Sequence, residues 1–171
     1  MKKMFTIGYE GADVEQLVAT LVALDVKVLA DVRELPLSRK KGLSKNGLND
    51  RLAEAGIKYI HYKTLGDPKP GRDAAKAGDF KTFERIFYGH MAKEDTQAAI
   101  ADLLKVASSD LTCMMCFERC AKHCHRSIIA DECVDAGFEV FNLVADKAEK
   151  YSRNDIEIPR HYSRKSLTAA E

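Results

Sequence analysis

Five short apolar runs, separated by segments with helical spacing, constrain the fold of this chain more than any other feature. The runs are residues 4–7, 26–32, 57–62, 111–117 and 139–144. Strands that alternate with helices pair in parallel through right-handed crossovers, and the helices then cover both faces of the sheet. The second and fourth runs are almost wholly apolar, as expected for strands buried on both faces. The sequence therefore predicts a three-layer, Rossmann-like α/β fold with a mainly parallel, five-stranded sheet.

Helix signals lie between these runs. Asp13, with Gln16 three residues later, forms a capping-box pattern, and Ser44 can cap the next helix. Residues 124–136 have the pattern of a helix that follows the fourth run. The two prolines within residues 65–71 disfavour helix before them, so this segment is predicted to be a loop.

The length and charge of the chain limit its organisation. A chain of 171 residues fits one domain. We expect a single α/β domain over residues 1–146, and a polar, irregular C-terminal tail over residues 147–171 that packs on it or extends from it. Lys and Arg number 27 and Asp and Glu number 26, so the net charge is +1. This balance disfavours sequence-blind nucleic-acid binding, which needs a basic excess, but it permits a local basic patch.

The cellular compartment is predicted from the absence of a secretory signal, a membrane span and a disulfide framework. The first apolar run ends after about four residues, whereas a secretory signal needs about 7–15. No apolar stretch reaches the length of about 18 residues that a membrane span needs. Four of the five cysteines lie between Cys113 and Cys124, unlike the spread cysteines of a secreted disulfide framework, so reduced thiols are expected. These patterns predict a cytoplasmic protein without membrane contact.

Residues suited to chemistry follow the first, second and fourth predicted strands. Ligands bind beyond the carboxyl ends of parallel strands, where loops meet the starts of helices. The residues that we expect to bind a ligand there are Gly8, Tyr9, Arg33, Ser38, Arg39, His125 and Arg126. The residues that we expect to be catalytic are Cys116, Glu118 and Cys124.

The predicted helix start at Cys124 is the most informative of these features. A helix N-terminus carries about half a positive charge, and this lowers the pKa of a thiol placed there. Arg126 and His125 add donors suited to phosphate or another oxyanion. Cysteine and arginine also occur together in phosphatase and rhodanese loops, but a spacing of two residues is shorter than in those loops. The pattern therefore supports anion binding and gives no support for phosphatase activity.

Several short motifs together resemble a known family. The motifs are Gly8-Tyr9, Asp31-Val32-Arg33, Ser38-Arg39, Leu65-Gly66, Cys116-Phe117-Glu118 and Cys124-His125-Arg126. In order and spacing they resemble the signature of the family catalogued as domain of unknown function 488, over about residues 6–143. The resemblance implies a small α/β domain of a type found widely in bacteria, and a site built from these motifs. It leaves the reaction open.

Some of these residues also have a purely structural interpretation. Arg33 and Asp31 could form an ion pair at a strand end without a functional role. His61 alternates within a predicted strand, which favours a structural histidine. Cys113 and Cys133 lie at apolar positions and are expected in the core, because free cysteine behaves as a small hydrophobe.

A metal or redox site is an alternative for the cysteine-rich segment. Cys113 and Cys116 lie three residues apart on a predicted strand, so their side chains point to opposite faces and are not expected to share an ion. Cys116, Cys120 and Cys124 could bind one together with a histidine if the loop folds back. A disulfide between Cys116 and Cys124 is also sterically conceivable. The sequence assigns no metal ligand and identifies no cofactor.

Together these features predict an enzyme that acts on a phosphate-bearing ligand, either a nucleotide or a nucleic acid. Arg33, Arg39 and Arg126 would bind the anion. Glu118 would be the general acid or base, with a pKa raised by burial, and Cys124 the nucleophile or a thiol ligand. Two other functions remain open: a module that binds an anionic small molecule or nucleic acid without chemistry, and a cysteine/histidine metal or redox sensor. The oligomeric state is left open.

Overall fold

The computed structural model describes residues 1–151, 153 and 156–165. The strands in these residues are β1 (Lys2–Gly8), β2 (Val28–Asp31), β3 (Lys58–His61), β4 (Thr112–Cys116), β5 (Phe138–Val144) and β6 (Arg160–His161). The α-helices are α1 (Val14–Ala23), α2 (Lys45–Glu54), α3 (Lys69–Lys76), α4 (Phe80–Met91), α5 (Glu94–Ser109) and α6 (His125–Asp135). Two short 3₁₀ helices lie at Lys63–Leu65 and Ala148–Lys150.

The strands form one sheet in the order β3-β2-β4-β1-β5-β6. Every pair is parallel except β5 with β6, which is antiparallel. The α/β class and the mainly parallel sheet are therefore confirmed. The number of strands is corrected from five to six in the described part of the chain, because Arg160 and His161 of the predicted tail pair with β5. This two-residue strand contains no apolar run, so hydrophobic pattern does not mark it.

The helices cover both faces of the sheet. On one face, Leu17 of α1 and Leu48 of α2 are fully buried in one core. On the other face, Phe87 of α4, Leu103 of α5 and Ile129 of α6 are fully buried in a second core. The three-layer prediction is confirmed. None of the described helices combines the length and the apolar character that a membrane crossing needs.

The starts of two helices test the predicted caps. Asp13 Oδ1 accepts from the Gln16 backbone at 2.8 Å, and Gln16 Oε1 accepts from the Asp13 backbone at 3.0 Å, so the capping box of α1 is confirmed. Ser44 occupies the N-cap position of α2, but its hydroxyl makes no capping hydrogen bond. The Ser44 hydroxyl instead accepts from the Ser38 backbone N–H at 3.0 Å and donates to the Ser38 carbonyl at 3.2 Å. It therefore fixes the loop that carries Ser38.

Helix α3 corrects the prediction of a loop over residues 65–71. The helix begins at Lys69, and Pro70 lies in its first turn. Proline is tolerated there because the first N–H groups of a helix have no intrahelical partner and the fixed φ of proline suits the helix. The prolines mark a helix start. Of the predicted tail, residues 152, 154, 155 and 166–171 lie outside the described residues.

Candidate active site at the carboxyl ends of the strands

A cleft of about 600 Å³ opens at the carboxyl end of the sheet. Its basic lining residues are Arg33, Arg39, Lys40, Arg72 and Lys76, and its acidic ones are Glu34, Asp67 and Glu118. The predicted site residues that line the cleft are Tyr9, Arg33, Ser38, Arg39, Cys116, Glu118 and His125. The predicted site residues that do not line it are Gly8, Cys124 and Arg126. The fold thus brings chain segments far apart in sequence to one cleft.

Arg33 and Asp31 form a buried ion pair at the end of β2. Arg33 donates from Nε to Asp31 Oδ1 at 2.9 Å and from Nη2 to Oδ2 at 2.7 Å. Arg33 Nη1 also donates to Tyr9 Oη at 3.2 Å, and Tyr59 donates to Asp31 Oδ2 at 2.5 Å. Burial alone would lower the pKa of Arg33, but Asp31 raises it, so the guanidinium stays charged. His61 Nε2 lies 2.7 Å from the Arg33 carbonyl, which agrees with a structural histidine.

Cys116, Glu118 and Cys124 bring two thiols and a carboxylate together. The two sulfur atoms are 2.7 Å apart, and Glu118 Oε2 lies 3.2 Å from each of them. Strand β4 ends at Cys116, and Cys124 is the N-cap residue of α6, so a strand end and a helix start position the two thiols. Both cysteines are almost wholly buried. Cys116 lines the cleft, whereas Cys124, the predicted nucleophile, does not.

The pKa values of Cys116 and Glu118 are both shifted, and the shift of Glu118 is opposite to the one predicted from the sequence. Burial raises the pKa of the Cys116 thiol, and the neighbouring Cys124 and Glu118 raise it further, while Arg126 acts in the opposite direction. Burial also acts to raise the pKa of Glu118, but its own backbone N–H, His125 and the two thiols outweigh burial and lower it. The prediction of a raised pKa for Glu118 is therefore wrong. Its carboxylate stays ionised, so it can accept a proton.

Arg126 lies against the thiols and has no exposed surface. It donates from Nη1 to Cys116 Sγ at 2.7 Å and to the Glu118 carbonyl, from Nε to Thr6 Oγ1 at 3.2 Å, and from Nη2 to the Arg119 carbonyl at 3.2 Å. Among the described residues, these partners include no carboxylate. Burial alone would lower the pKa of Arg126, but the thiols raise it. Arg126 is therefore placed to act on the thiols, and its position does not suit the predicted direct contact with a ligand.

His125, the first residue of α6, lines the cleft with a fixed ring. Its Nε2 lies 2.7 Å from the Val32 carbonyl, which can only accept, so we assign the proton to Nε2. In the neutral ring Nδ1 then carries the lone pair, and it lies 3.7 Å from Cys124 Sγ. Phe87 packs against the ring at 5.4 Å between centroids. The end of β2 and helix α4 thus orient the imidazole with Nδ1 towards the thiol cluster.

Two glycines of the sequence motifs allow backbone segments to pack closely. A Cβ atom on Gly8 would lie 1.7 Å from the Glu118 carbonyl oxygen, which accepts a hydrogen bond from Arg126. A Cβ atom on Gly66 would lie 2.2 Å from the Glu34 backbone nitrogen. Only glycine permits such approaches. Gly8 therefore shapes the site through backbone packing, a role that needs no contact with a ligand.

Asp67 is a cleft residue that the sequence-based prediction omitted. It is only 7% exposed, and its Oδ1 has no hydrogen-bond partner within the described residues. Burial raises the pKa of Asp67 to about 6. The residue lies between the end of β3 and α3, at the same edge of the sheet as the predicted site. An acidic residue after a third parallel strand is the signal that could have identified it.

The other cysteines do not share the site. Cys113 and Cys116 belong to the cores on opposite faces of the sheet, as their spacing predicted. Cys133 is fully buried, which confirms its predicted place in the core. Cys120 is exposed. Within the described residues, the group of donors close enough for one metal ion is Cys116, Glu118 and Cys124, so Cys120 does not take the part considered from the sequence.

Comparison with known proteins decides the family. The family model described as "Domain of unknown function DUF488" matches residues 13–133. The chain belongs to the DUF488 family. The match confirms the resemblance drawn from the motifs and includes the thiol cluster, His125 and Arg126. No curated protein and no solved structure matched this DUF488 chain, so its function must be inferred from the site itself.

Proposed function

We propose that this DUF488 protein is an enzyme that binds a phosphate-bearing ligand in the cleft and acts on it with Cys116, Glu118 and Cys124. The observation that carries the proposal is the position of Cys116. Cys116 lines the cleft, and its sulfur lies between the ionised Glu118 carboxylate at 3.2 Å and the buried Arg126 guanidinium at 2.7 Å. A nucleophile in contact with a base and a cation, at the edge of a cleft, is a common arrangement of enzyme active sites.

The basic residues of the cleft favour an anionic ligand. Arg33 and Arg72 already have carboxylate partners. Arg39, Lys40 and Lys76 line the cleft without an ion pair among the described residues. Arginine and lysine side chains of this kind are the usual protein donors to phosphate. Set against the carboxyl groups of Glu118 and Asp67 in the same lining, these three cations leave the cleft with a net positive charge that suits a phosphate group.

An apolar side of the same cleft favours a nucleotide or a nucleic-acid end over a simple anion. Leu35, Leu37 and Phe117 are 55%, 70% and 45% exposed, and all three line the cleft. Large apolar side chains that stay exposed together often mark a binding surface. A base could pack on this surface while its phosphate contacts the cations, as aromatic and aliphatic groups pack on bases elsewhere.

The thiol cluster supplies the proposed chemistry. Glu118 would accept the thiol proton of Cys116 as the sulfur attacks the ligand, because the raised pKa of Cys116 and the lowered pKa of Glu118 make the transfer unfavourable as a separate step. Arg126 would stabilise the negative charge that develops on sulfur. Cys116 and Cys124 would then serve as nucleophile or as thiol ligands. Asp67, whose pKa is raised to about 6, could return a proton to a leaving group near neutral pH.

A thermal-shift screen tests the ligand class. We expect nucleotides or short oligonucleotides to raise the Tm by several degrees, equivalent to about 1–3 kcal/mol of binding linkage, and unphosphorylated nucleosides to raise it much less. The double variant Arg39→Gln/Lys76→Gln should lose most of this shift. Lys58→Gln is the matched control, because Lys58 is an exposed cation at the start of β3, the opposite end of the strand. No shift with any phosphorylated ligand would reject the proposal.

Two further variants separate an enzyme from a binding module. Cys116→Ser and Glu118→Gln should abolish turnover of a ligand found in the screen and should keep its thermal shift. If both variants retain full turnover, the thiol cluster is not catalytic. If the wild-type protein binds the ligand without changing it, the binding module is the correct function.

A further inference from the structure

We infer that Cys116, Cys124, Glu118 and His125 form a binding site for one divalent ion of the Zn²⁺ class. The two sulfur atoms and the Glu118 carboxylate oxygen all lie within 4.8 Å of one another. Thiolate, carboxylate and imidazole are the ligands that zinc takes in proteins. The site deepens the proposed function by naming a cofactor class, although metal binding itself does not depend on the proposed ligand.

His125 would complete the set as a fourth ligand after a shift of the side chains, since the three donor atoms within 4.8 Å of one another do not include it. Its Nε2 donates to the Val32 carbonyl, which leaves Nδ1 as an acceptor 3.7 Å from Cys124 Sγ. A sulfur at about 2.3 Å and a nitrogen at about 2.0 Å from one tetrahedral zinc ion lie about 3.5 Å apart. The observed spacing is close to that value. A backbone carbonyl that orients a histidine through its other ring nitrogen is also the usual environment of a metal ligand.

The two sulfur atoms must separate when the ion binds. They are 2.7 Å apart, whereas two thiolates on one tetrahedral zinc ion lie about 3.7 Å apart. Arg126 holds Cys116 in place. The side chain of Cys124 makes no capping hydrogen bond to α6, so it can rotate away from Cys116 without cost to the helix.

The charges of the cluster favour a dication. Two thiolates and one carboxylate carry three negative charges, which a dication and the Arg126 guanidinium together offset. Among the described residues, Arg126 has no carboxylate partner, and its Nη1 donates to Cys116 Sγ at 2.7 Å. That hydrogen bond would remain as a contact to a metal-bound thiolate, a common way to stabilise one. Buried thiolates without a metal would lack this compensation.

A disulfide between Cys116 and Cys124 is the alternative to metal binding by these two thiols. It would use only the two sulfurs, and it would give no role to Glu118 Oε2 or to the imidazole nitrogen that faces Cys124. Three donor atoms that lie within 4.8 Å of one another, with the His125 nitrogen 3.7 Å from one of the two sulfurs, favour the ion.

Metal loading of the full chain tests the inference. We expect protein kept in reductant, loaded with Zn²⁺ and freed of excess to contain one zinc per chain by elemental analysis. Co²⁺ in its place should give the near-ultraviolet absorption of cobalt–thiolate bonds. Competition with a chromophoric chelator should show affinity reduced about 100-fold or more by Cys124→Ser and about tenfold or more by Glu118→Gln and His125→Gln. Cys120→Ser and Cys133→Ser are the matched controls and should bind as the wild type does.

The possible outcomes are distinct. Cobalt–thiolate absorption that persists in the double variant Cys116→Ser/Cys124→Ser, or reduced protein that takes up no zinc, would overturn the inference. A Cys116–Cys124 disulfide found by peptide mapping, in protein whose reduced form binds no metal, would replace it with a redox pair. Circular dichroism shows whether each variant folds. Zinc is measured without nucleotide, so a failed metal site and a failed nucleotide screen are separate results.

Discussion

Two buried arginines at the carboxyl end of the sheet lie in opposite electrostatic surroundings. Arg33 makes two hydrogen bonds to the carboxylate of Asp31, which is itself fully buried. Arg126 donates to a thiol, a hydroxyl and two carbonyl groups, with no carboxylate among its described partners. Burying a charge costs several kcal/mol unless another charge compensates it. The charge of Arg33 is compensated within the fold, whereas that of Arg126 remains to stabilise negative charge on the sulfurs.

This contrast separates a structural role from a functional one. Both residues occur in motifs with a strand end or a helix start, and both were predicted to bind an anion. Their positions in sequence do not distinguish them. The difference is made by the residue beside each guanidinium, Asp31 in one case and Cys116 in the other.

Substitution of each arginine by methionine is the strongest test of the contrast. Arg33→Met should lower the free energy of unfolding by about 3–5 kcal/mol, because Asp31 would remain as a buried charge without its partner. Arg126→Met should lower it by less, by about 1–2 kcal/mol, because removal of a buried charge offsets much of the loss of its four hydrogen bonds, and it should abolish turnover. Urea unfolding measures both values. Equal losses of stability would show that the two arginines do not differ as proposed.

The double variant Asp31→Asn/Arg33→Met provides the control. It removes both charges, so it should recover part of the stability that Arg33→Met alone loses. A double variant less stable than Arg33→Met would mean that the ion pair is not the source of the loss.

Gly8→Ala should have the next largest effect, because it disturbs the backbone segment that binds Arg126. The added Cβ would lie 1.7 Å from the Glu118 carbonyl, so the segment that accepts hydrogen bonds from Arg126 must move. We expect a loss of about 3 kcal/mol in unfolding free energy. Gly89→Ala in α4 is the control, since a Cβ there meets nothing within 4 Å, and it should gain about 0.5–1 kcal/mol. Unchanged stability in Gly8→Ala would contradict the close packing.

The sequence predicted the layers and the site edge, because both depend on local pattern. The apolar runs indicate strands, and the helical pattern of residues 124–136 indicates α6. The burial of Arg126 could not be predicted in this way. Residues 125–131 are buried all around the helix, so no polar stripe shows which side chains face inward. Pairing of Asp31 with Arg33 could be considered from spacing, but its geometry depends on contacts with Tyr9, just after β1, and with Tyr59 of β3.

Asp67→Asn tests a third buried charge, a carboxylate whose Oδ1 has no hydrogen-bond partner among the described residues. The folded pKa of about 6 lies above the ordinary value of 3.8, so the carboxyl costs no stability below pH 3.8, where it is protonated in both states. Stability is lost as the pH rises from there through about 6. The variant should therefore be more stable than wild type by on the order of 2 kcal/mol at pH 7–8. The difference should nearly vanish near pH 4 in urea unfolding, and a difference that does not change with pH would show that the buried charge is not its cause.

Tyr59→Phe should have the smallest effect, and it tests how firmly Asp31 is held. The variant removes a hydroxyl that donates to Asp31 Oδ2 at 2.5 Å, which should cost about 1 kcal/mol while Arg33 still pairs with the carboxylate. In the Arg33→Met background Tyr59 is one of the few donors left to Asp31, so the same change should cost more. Tyr88→Phe, at a half-exposed position of α4, is the control and should change stability by less than about 0.5 kcal/mol. If Tyr59→Phe costs the same in both backgrounds, the tyrosine and the arginine stabilise Asp31 independently, and the carboxylate is less dependent on Arg33 than its geometry indicates.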